Sequence, residues 1–286
     1  MPRGTILQAP PGADFAALAA ELASGRAAEG SLADAALLLA AELEPGLDAP
    51  AARAELARLG AEAARRAEAA LPPERLARVL HLLREEGFQG NSGDYDDPRN
   101  SFLDQVLRRR TGIPITLAVV LIEVGRRAGL ALEGISFPRH FLVRAGPGPA
   151  DAIVDPFELR VLDDAECQRR LELALGPEAV FERAELHPAT LREILVRMLG
   201  NLKRAFVGRG DLVRAATCCD RILLLAPDHA SELRDRGLLY EQLDCPGAAC
   251  DDLERFLALA PEDPSAPAVR RRLGALRRAA ADASLH

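Results

Sequence analysis

The chain has 286 residues, 49% of them hydrophobic and 28% charged, which argues against a disordered chain, a fibre or a coiled coil. Its 36 basic and 43 acidic residues leave a formal net charge of −7, and only 4% of the residues are aromatic. An acidic chain with few aromatic rings is a poor nucleic-acid binder, so we expect no nucleic-acid partner.

The cysteines and the apolar segments favour a protein of the reducing cytoplasm. Five cysteines are an odd count, in a chain too long for a small disulfide scaffold. The first residues include no apolar stretch of the length that a secretory signal needs, so we expect none. The longest apolar run, residues 113–122, is about half of the ~20 residues that a membrane helix needs. We predict no membrane association, and packing cysteines rather than a metal site, because no spacing matches a zinc ligand set.

Residues 1–86 are predicted to form helices that pack on the domain following them. Apolar residues recur at helical spacing near Phe15 and again over 32–39. Segment 48–70 is rich in Ala, Arg and Glu, which are strong helix formers, and a further helix is predicted over 74–86.

A loop over 87–101 leads into the central helices. Ser101 and Asp104 have the spacing of a capping box, which predicts a helix that starts at Ser101. Pro114 suits the first turn of a second helix, 114–128. This helix is apolar nearly all round, so we expect it to be buried.

Three polar residues interrupt the buried helix on a single stripe, namely Thr116, Glu123 and Arg127. Buried polar groups need partners. A Glu123–Arg127 pair and a capping threonine would satisfy them, and a functional site is the alternative explanation.

Three short strands are predicted after the buried helix, over 131–137, 140–145 and 152–155, with a turn at 146–149. Consecutive short strands favour an antiparallel meander packed on the helix. The predicted fold class is therefore α+β and mostly helical.

From residue 163 onward the chain is predicted to be helical, and it contains a repeat. The repeat is 34 residues long: Leu225-Ala226-Pro227 recurs as Leu259-Ala260-Pro261, Phe206 as Tyr240, and Ala215 as Ala249. A helix–turn–helix period of this length, with small residues at packing positions, resembles the tetratricopeptide repeat. Such repeats predict a groove that binds a protein or a peptide.

Two polar residues on neighbouring predicted strands form a candidate site. His140 begins one strand and Asp155 ends the next. Adjacent strands can bring these side chains together, so that the carboxylate orients the imidazole. A purely structural histidine is the alternative.

Several motifs around this pair carry a family resemblance. DPRNS, GIPIT, FP-x-H and DPF follow one another in the order typical of the transglutaminase-like superfamily. The chain most resembles the bacterial SirB-type branch, in which such a core is followed by tetratricopeptide repeats. The resemblance covers about residues 30–265. It implies a papain-like core, with one buried helix on a small antiparallel sheet.

The resemblance also implies roles for single residues. In enzymes of the superfamily a cysteine at the start of the buried helix is the nucleophile, and here His140 takes the place of its base and Asp155 that of the orienting carboxylate. The place of the cysteine falls at about Pro114, which has no nucleophile. Thr116 is the remaining candidate near that helix start, and Cys167 has no counterpart in the motif.

Three further residues are candidates for binding a substrate. Arg99 and Asn100 lie in the loop before the central helices, and Glu123 lies on the buried helix. Arg139 stands where the resemblance implies glycine, and an arginine there could crowd a cleft at the histidine.

Two functions are compatible with these observations. The favoured one is a non-catalytic protein-binding or scaffold protein, because Pro114 occupies the nucleophile's place. The alternative is a hydrolase or acyl-transfer enzyme that acts on an amide, with His140 as general base oriented by Asp155. Neither needs a cofactor, and none is predicted. The expected domains are the N-terminal helical segment 1–86, a transglutaminase-like core over 87–188 and tetratricopeptide-like repeats over 189–286.

Overall fold

The computed structural model describes residues 12–24, 31–44, 46–146 and 151–284. The first residues of the chain and most of the predicted turn at 146–149 lie outside these ranges. Contacts divide the chain into two compact units. We call residues 29–198 the sheet unit, and residues 1–28 together with 199–286 the repeat unit.

Helices dominate the part of the chain that the structure describes. They are α1 (Ala13–Ala23), α2 (Leu32–Leu43), α3 (Ala49–Ala67), α4 (Pro72–Glu85), α5 (Leu103–Arg109), α6 (Pro114–Arg127), α7 (Asp164–Leu175), α8 (Leu191–Gly208), α9 (Leu212–Leu225), α10 (Ala230–Gln242), α11 (Pro246–Leu259) and α12 (Ala266–Ser284). None of these described helices is long and apolar enough to cross a membrane.

The strands all lie in the sheet unit. They are β1 (Gln89–Gly90), β2 (Thr111–Gly112), β3 (Leu132–Ile135), β4 (Leu142–Ala145), β5 (Ala152–Asp155) and β6 (Arg160–Leu162). β1 and β2 form a short parallel pair, and the other four form an antiparallel sheet in the order β3-β4-β5-β6. The prediction of an α+β, mostly helical fold is confirmed.

The core of the sheet unit is built around α6. Every residue from Pro114 to Gly125 is buried, as the apolar composition of this segment predicts. The helix packs against α3 and against β3 and β4. A single buried helix on a small antiparallel sheet is the arrangement that the resemblance implies.

The antiparallel sheet contains one strand more than the sequence predicts. The three predicted strands correspond to β3, β4 and β5, and Val143 of β4 lies opposite Val154 of β5. β6 follows a tight turn in which Leu159 has a φ of 50°. It was missed because three residues are too few to show an alternating pattern.

The predicted capping box before α5 is wrong. Ser101 instead ends a 3-10 turn over Pro98–Asn100, and α5 begins after Phe102, whose side chain makes no capping hydrogen bond. Capping boxes do begin α2, at Ser31, and α7, at Asp163. Each of these has an acidic residue three positions later that completes the box.

The chain is not helical throughout after residue 163, contrary to the prediction. Between α7 and α8 its one helical element is a short 3-10 turn over Arg183–Glu185. Gly176 and two prolines account for the interruption, because proline cannot continue a helix. Part of this segment lies beside β3, where Ala189 donates its backbone N–H to Gly134 O at 2.8 Å.

The repeat unit has the predicted period. Ala215 and Ala249, 34 residues apart, are both fully buried in helices α9 and α11. Phe206 and Tyr240 are buried at the matching positions. Within this unit α1 contacts α9, whereas α2, α3 and α4 belong to the sheet unit. The three-part division at residues 86 and 188 stays a prediction.

Candidate functional site

A tight turn presents His140. The backbone N–H of His140 donates to Phe137 O at 3.0 Å, and Arg139 between them has a φ of 55°. Arg197 holds the turn from α8, because its Nη2 donates to Phe137 O at 3.1 Å and to His140 O at 2.5 Å. The Arg139 side chain is exposed. Its left-handed backbone explains why the resemblance implies glycine at this position.

The structure brings His140 and Asp155 together. His140 lies two residues before β4, and Asp155 ends the neighbouring strand β5. The distance from His140 Nε2 to Asp155 Oδ1 is 3.0 Å. The histidine side chain is 18% exposed, whereas the carboxylate is fully buried. The geometry is that of a carboxylate which orients an imidazole, and a catalytic role for the pair stays a prediction.

Several donors surround the buried Asp155 carboxylate. Its Oδ1 accepts the backbone N–H of Phe157 at 2.8 Å, and Nη2 of Arg170 forms an ion pair with Oδ2 at 2.8 Å. Burial alone would raise the pKa of Asp155. The hydrogen bond and charge of His140, the Phe157 N–H and the charge of Arg170 outweigh it, so the pKa lies below its usual value.

Arg170 of α7 is a member of this site that the sequence did not reveal. Its Nη1 lies 3.4 Å from His140 Nε2, and its Nη2 also bonds to Glu158 at 3.1 Å. Nothing in the local pattern of α7 marks Arg170, because tertiary packing alone brings it to the pair. The contacts of the imidazole all involve Nε2, so Nδ1 has no hydrogen-bond partner among the described residues.

The start of α6 offers one hydroxyl as a candidate nucleophile, on Thr116, whose catalytic role stays a prediction. Pro114 is the first residue of the helix, and Ile113 and Ile115 beside it are buried. Thr116 is fully buried, and its Oγ1 has no hydrogen-bond partner in the described part of the chain. The hydroxyl therefore neither caps the helix nor bonds to His140.

Glu123 supports a neighbouring helix. Its Oε1 accepts the backbone N–H of Ala33 at 3.3 Å, at the start of α2, and its Oε2 lies 3.5 Å from Arg126. The predicted Glu123–Arg127 pair is therefore wrong, because Arg127 reaches Leu56 O instead, at 3.1 Å. Substrate binding by Glu123 stays a prediction, and both of its carboxylate oxygens already have partners.

The loop residues Arg99 and Asn100 differ in exposure. Arg99 is 61% exposed and pairs with Asp97 at 2.7 Å. Asn100 is fully buried, donates to Asp94 O at 2.7 Å and accepts from Asn91 at 3.1 Å. Asn100 therefore fixes the loop internally. Substrate binding by either residue stays a prediction.

The cysteines are unpaired thiols, and several are deeply buried. Burial raises the pKa of Cys167 to about 11, and it also raises the pKa of Cys218 and Cys219. A thiol with a raised pKa is a poor nucleophile at neutral pH. Over the described ranges, no cluster of three or more His, Cys, Asp or Glu residues has the geometry of a metal site.

Comparison with known proteins agrees with this architecture. Residues 50–200 match the model of the transglutaminase-like superfamily, and residues 202–274 match that of the tetratricopeptide repeat. A UPF0162 protein of Xylella fastidiosa is 46% identical over 208 residues, which is 71% of this chain and 74% of the relative. A UPF0162 protein of Vibrio cholerae is 36% identical over 252 residues, 86% of this chain and 92% of the relative.

A further relative is Protein SirB1 of Salmonella typhimurium, which is 28% identical over 205 residues, 71% of this chain and 76% of the relative. The superfamily match spans the buried helix, the sheet and the His140–Asp155 pair, and the repeat match begins two residues after it ends. The chain therefore belongs to the SirB-type family, in which a transglutaminase-like core is followed by tetratricopeptide repeats.

Proposed function

We propose that this protein is a non-catalytic binding protein of the cytoplasm, whose repeats bind a protein or peptide partner. The observation that carries the proposal is the first turn of α6. Proline occupies the place where the superfamily's enzymes have their cysteine, and the one hydroxyl within α6, on Thr116, is buried and makes no hydrogen bond to His140. A hydroxyl without a bonded base is a weak nucleophile.

The surroundings of the His140–Asp155 pair also favour this proposal. A catalytic carboxylate stabilises the positive charge that the imidazole acquires when it takes a proton. Here the Arg170 guanidinium neutralises Asp155 and lies 3.4 Å from the ring. The carboxylate is therefore shared between the ring and the guanidinium, and these contacts fit a structural role in which Asp155 joins the segment before β4 to β5 and α7.

The repeats supply the binding function in this proposal. Stacked helix pairs of this kind present extended concave surfaces to their partners. The match to the tetratricopeptide repeat over residues 202–274 supports this role. The free thiols of the chain suit the reducing cytoplasm, which is the compartment we propose.

Two measurements test the proposal. A photocrosslinking residue in place of the exposed Arg204 on α8 should capture a partner in bacterial lysate, whereas one in place of the exposed Arg53 on α3 should not.

The second measurement is of hydrolysis. The wild-type protein and H140A should both hydrolyse a panel of amide and ester substrates no faster than buffer without protein does. Turnover by the wild type that H140A loses would overturn the proposal.

One observation favours the enzyme alternative. If His140 donates its Nε2 proton to Asp155, Nδ1 carries the free lone pair, and Nδ1 has no hydrogen-bond partner among the described residues. The imidazole could then act as a general base that activates water for attack on an amide. The substrate panel tests this directly, since such hydrolysis would need His140 and Asp155 but no nucleophile on α6.

A further inference from the structure

A cleft of about 500 Å³ lies in the sheet unit, and neither His140 nor Asp155 lines it. Its lining includes Ile135, Phe137, Leu171, Phe181 and Leu186, and we call it the 135–193 groove. The Phe137 and Phe181 rings are 6.4 Å apart. The floor is therefore an apolar and aromatic surface large enough for one bulky side chain.

The edge of the groove leaves apolar side chains in water. Leu175 is 64% exposed and Val180 is 69% exposed, and both line the groove. Exposed apolar residues that are grouped around a concave surface mark binding sites more often than single scattered ones do. The groove therefore offers an apolar rim that a ligand could cover, in addition to its floor.

Contacts hold the outer wall of the groove in place. Gln168 of α7 accepts the backbone N–H of Phe181 at 2.7 Å and donates to Ala179 O at 2.7 Å. Farther along the wall, Ala189 bonds to Gly134 of β3. A wall that is fixed at both ends forms the groove before any ligand arrives, which reduces the entropic cost of binding.

The lining of the groove carries carboxylates and neither of the strongly basic residue types. Glu182, Glu185 and Glu193 line it, and neither lysine nor arginine does. Glu193 accepts hydrogen bonds from Thr190 at the start of α8. Glu182 and Glu185 are exposed and have no ion-pair partner among the described residues, although arginine pairs are frequent in this chain. Two unpaired carboxylates beside an apolar floor complement a cationic ligand.

We propose that the 135–193 groove binds a segment of a partner protein in which a bulky apolar side chain is flanked by arginine or lysine. The apolar side chain packs on the floor against Phe181 and against the exposed Leu175 and Val180, and the flanking cations pair with Glu182 and Glu185. This site is separate from the repeats. If the groove bound no such segment, the proposed role of the repeats would be unaffected.

The test uses fluorescently labelled peptides and the full chain. The probe acetyl-Gly-Arg-Leu-Phe-Arg-Gly-amide should bind with a dissociation constant below about 1 mM, measured by anisotropy. A peptide with glutamate in place of both arginines, and one with serine in place of Leu-Phe, should each bind about tenfold more weakly or worse. Affinity should fall as the salt concentration rises, because exposed charge pairs are screened.

Variants on the protein locate the site. E182R/E185R should weaken the binding of the probe about tenfold, and L175S/V180S should weaken it severalfold. Each pair has a matched control: E68R/E262R reverses two exposed, unpaired glutamates outside the groove, and L173S replaces a leucine that is 83% exposed and does not line it. All of these side chains are exposed, so the variants should fold.

Three outcomes would overturn the proposal. The first is no binding of the basic apolar probe at 1 mM, and the second is equal weakening by E182R/E185R and E68R/E262R. The third is a dimer in sedimentation that E182R/E185R dissociates, since the groove would then hold a second copy of this chain. Loss of binding in E182R/E185R alone, in a monomeric protein, supports the proposal.

Discussion

Thr116 has a buried hydroxyl without a hydrogen-bond partner in the described part of the chain. The residue is fully buried near the start of α6. Valine has nearly the same shape without the polar atom. We expect T116V to raise the free energy of unfolding by about 1 kcal/mol, because burial of an unsatisfied hydroxyl is costly. Urea denaturation at pH 7 measures the change.

T116A is the matched control for this prediction. It also removes the hydroxyl but leaves a small cavity, so it should lower the stability relative to T116V. A loss of stability in T116V would show that the hydroxyl has a partner. Loss of an enzymatic activity in T116V, with stability retained, would instead revive Thr116 as a nucleophile.

Asp155 makes the stability of the sheet unit depend on pH. Its pKa in the folded protein is lowered, since its donors outweigh the effect of burial. A lowered pKa stabilises the fold above the pKa of the unfolded chain, about 3.9, and this stabilisation is lost as the pH falls through the folded value. Asparagine keeps the acceptor oxygen but not the charge. We expect D155N to be about 2 kcal/mol less stable than the wild type at pH 6.

The difference between wild type and D155N should shrink as the pH falls below about 4, because the wild-type carboxylate becomes protonated. Urea denaturation at pH 6, 5, 4 and 3 measures this difference in the free energy of unfolding. D14N, which changes an exposed carboxylate on α1, is the control and should differ little from the wild type at any pH. A difference for D155N that stays constant from pH 6 to pH 3 would contradict the charge-based explanation.

Among the residues of the site, the sequence predicted those that lie on adjacent elements. His140 and Asp155 could be paired because His140 lies just before one strand of a meander and Asp155 ends the next. Arg170 could not, because it comes from α7 and no local pattern directs it to the pair. The partner of Glu123 was missed for a similar reason: Ala33 lies 90 residues away, whereas the predicted Arg127 was merely the nearest suitable charge.

At the scale of elements, α6 and α2 are joined through Glu123. The carboxylate accepts the Ala33 N–H, one of the four backbone donors that have no partner within the first turn of a helix. Its negative charge also lies at the positive end of the helix dipole. We expect E123A to lower the free energy of unfolding by about 2 kcal/mol and E123Q by about 1 kcal/mol, since glutamine keeps the hydrogen bond but loses the charge.

Urea denaturation measures both Glu123 variants, and hydrogen exchange at the first amides of α2 shows whether the effect is local. E133Q, which changes a half-exposed glutamate on β3, is the control and should cost less than 1 kcal/mol. Unchanged stability in E123A would mean that the carboxylate is free for another role, such as the predicted contact with a substrate.

Periodic elements were predictable, and the irregular ones were not. α6, with its unbroken burial, and β3 to β5 follow from patterns that extend over several residues. β6 and the segment between α7 and α8 have no such pattern, and contacts with distant residues determine their course. That irregular segment forms one wall of the 135–193 groove, so no periodic pattern predicted the groove.

At the scale of the molecule, the repeats were predictable because each 34-residue copy repeats the same packing. Ala215 and Ala249 are both fully buried, as small residues between close helices must be.

The polar network that links the repeat helices was not predictable from the sequence. Arg236 of α10 bonds to Asp252 of α11 through two nitrogens, each at 2.6 Å, and to Asp220 of α9 at 2.7 Å. One side chain therefore joins three consecutive helices.

The Arg236 network yields a prediction about the repeats as a cooperative array. R236M would leave the buried carboxylates of Asp220 and Asp252 unpaired, which typically costs 3–5 kcal/mol in total, so we expect about 3 kcal/mol of lost stability in urea. R255M is the control, because the Arg255–Asp228 pair is exposed and should contribute less than 1 kcal/mol. Amides of α9, α10 and α11 should all exchange faster in R236M.

Uncharged residues should be able to replace the whole network. Such a replacement distinguishes the energetic cost of leaving buried charges unpaired from the net stabilisation that the ion pairs provide. Adding D220N and D252N to R236M removes both buried charges, so the triple variant should recover most of the lost stability. Tyr240, whose hydroxyl bonds to Asp220 at 3.2 Å, can still donate to the asparagine oxygen. If the triple variant is as unstable as R236M, the guanidinium stabilises the three-helix junction by its own packing, and the charge argument fails.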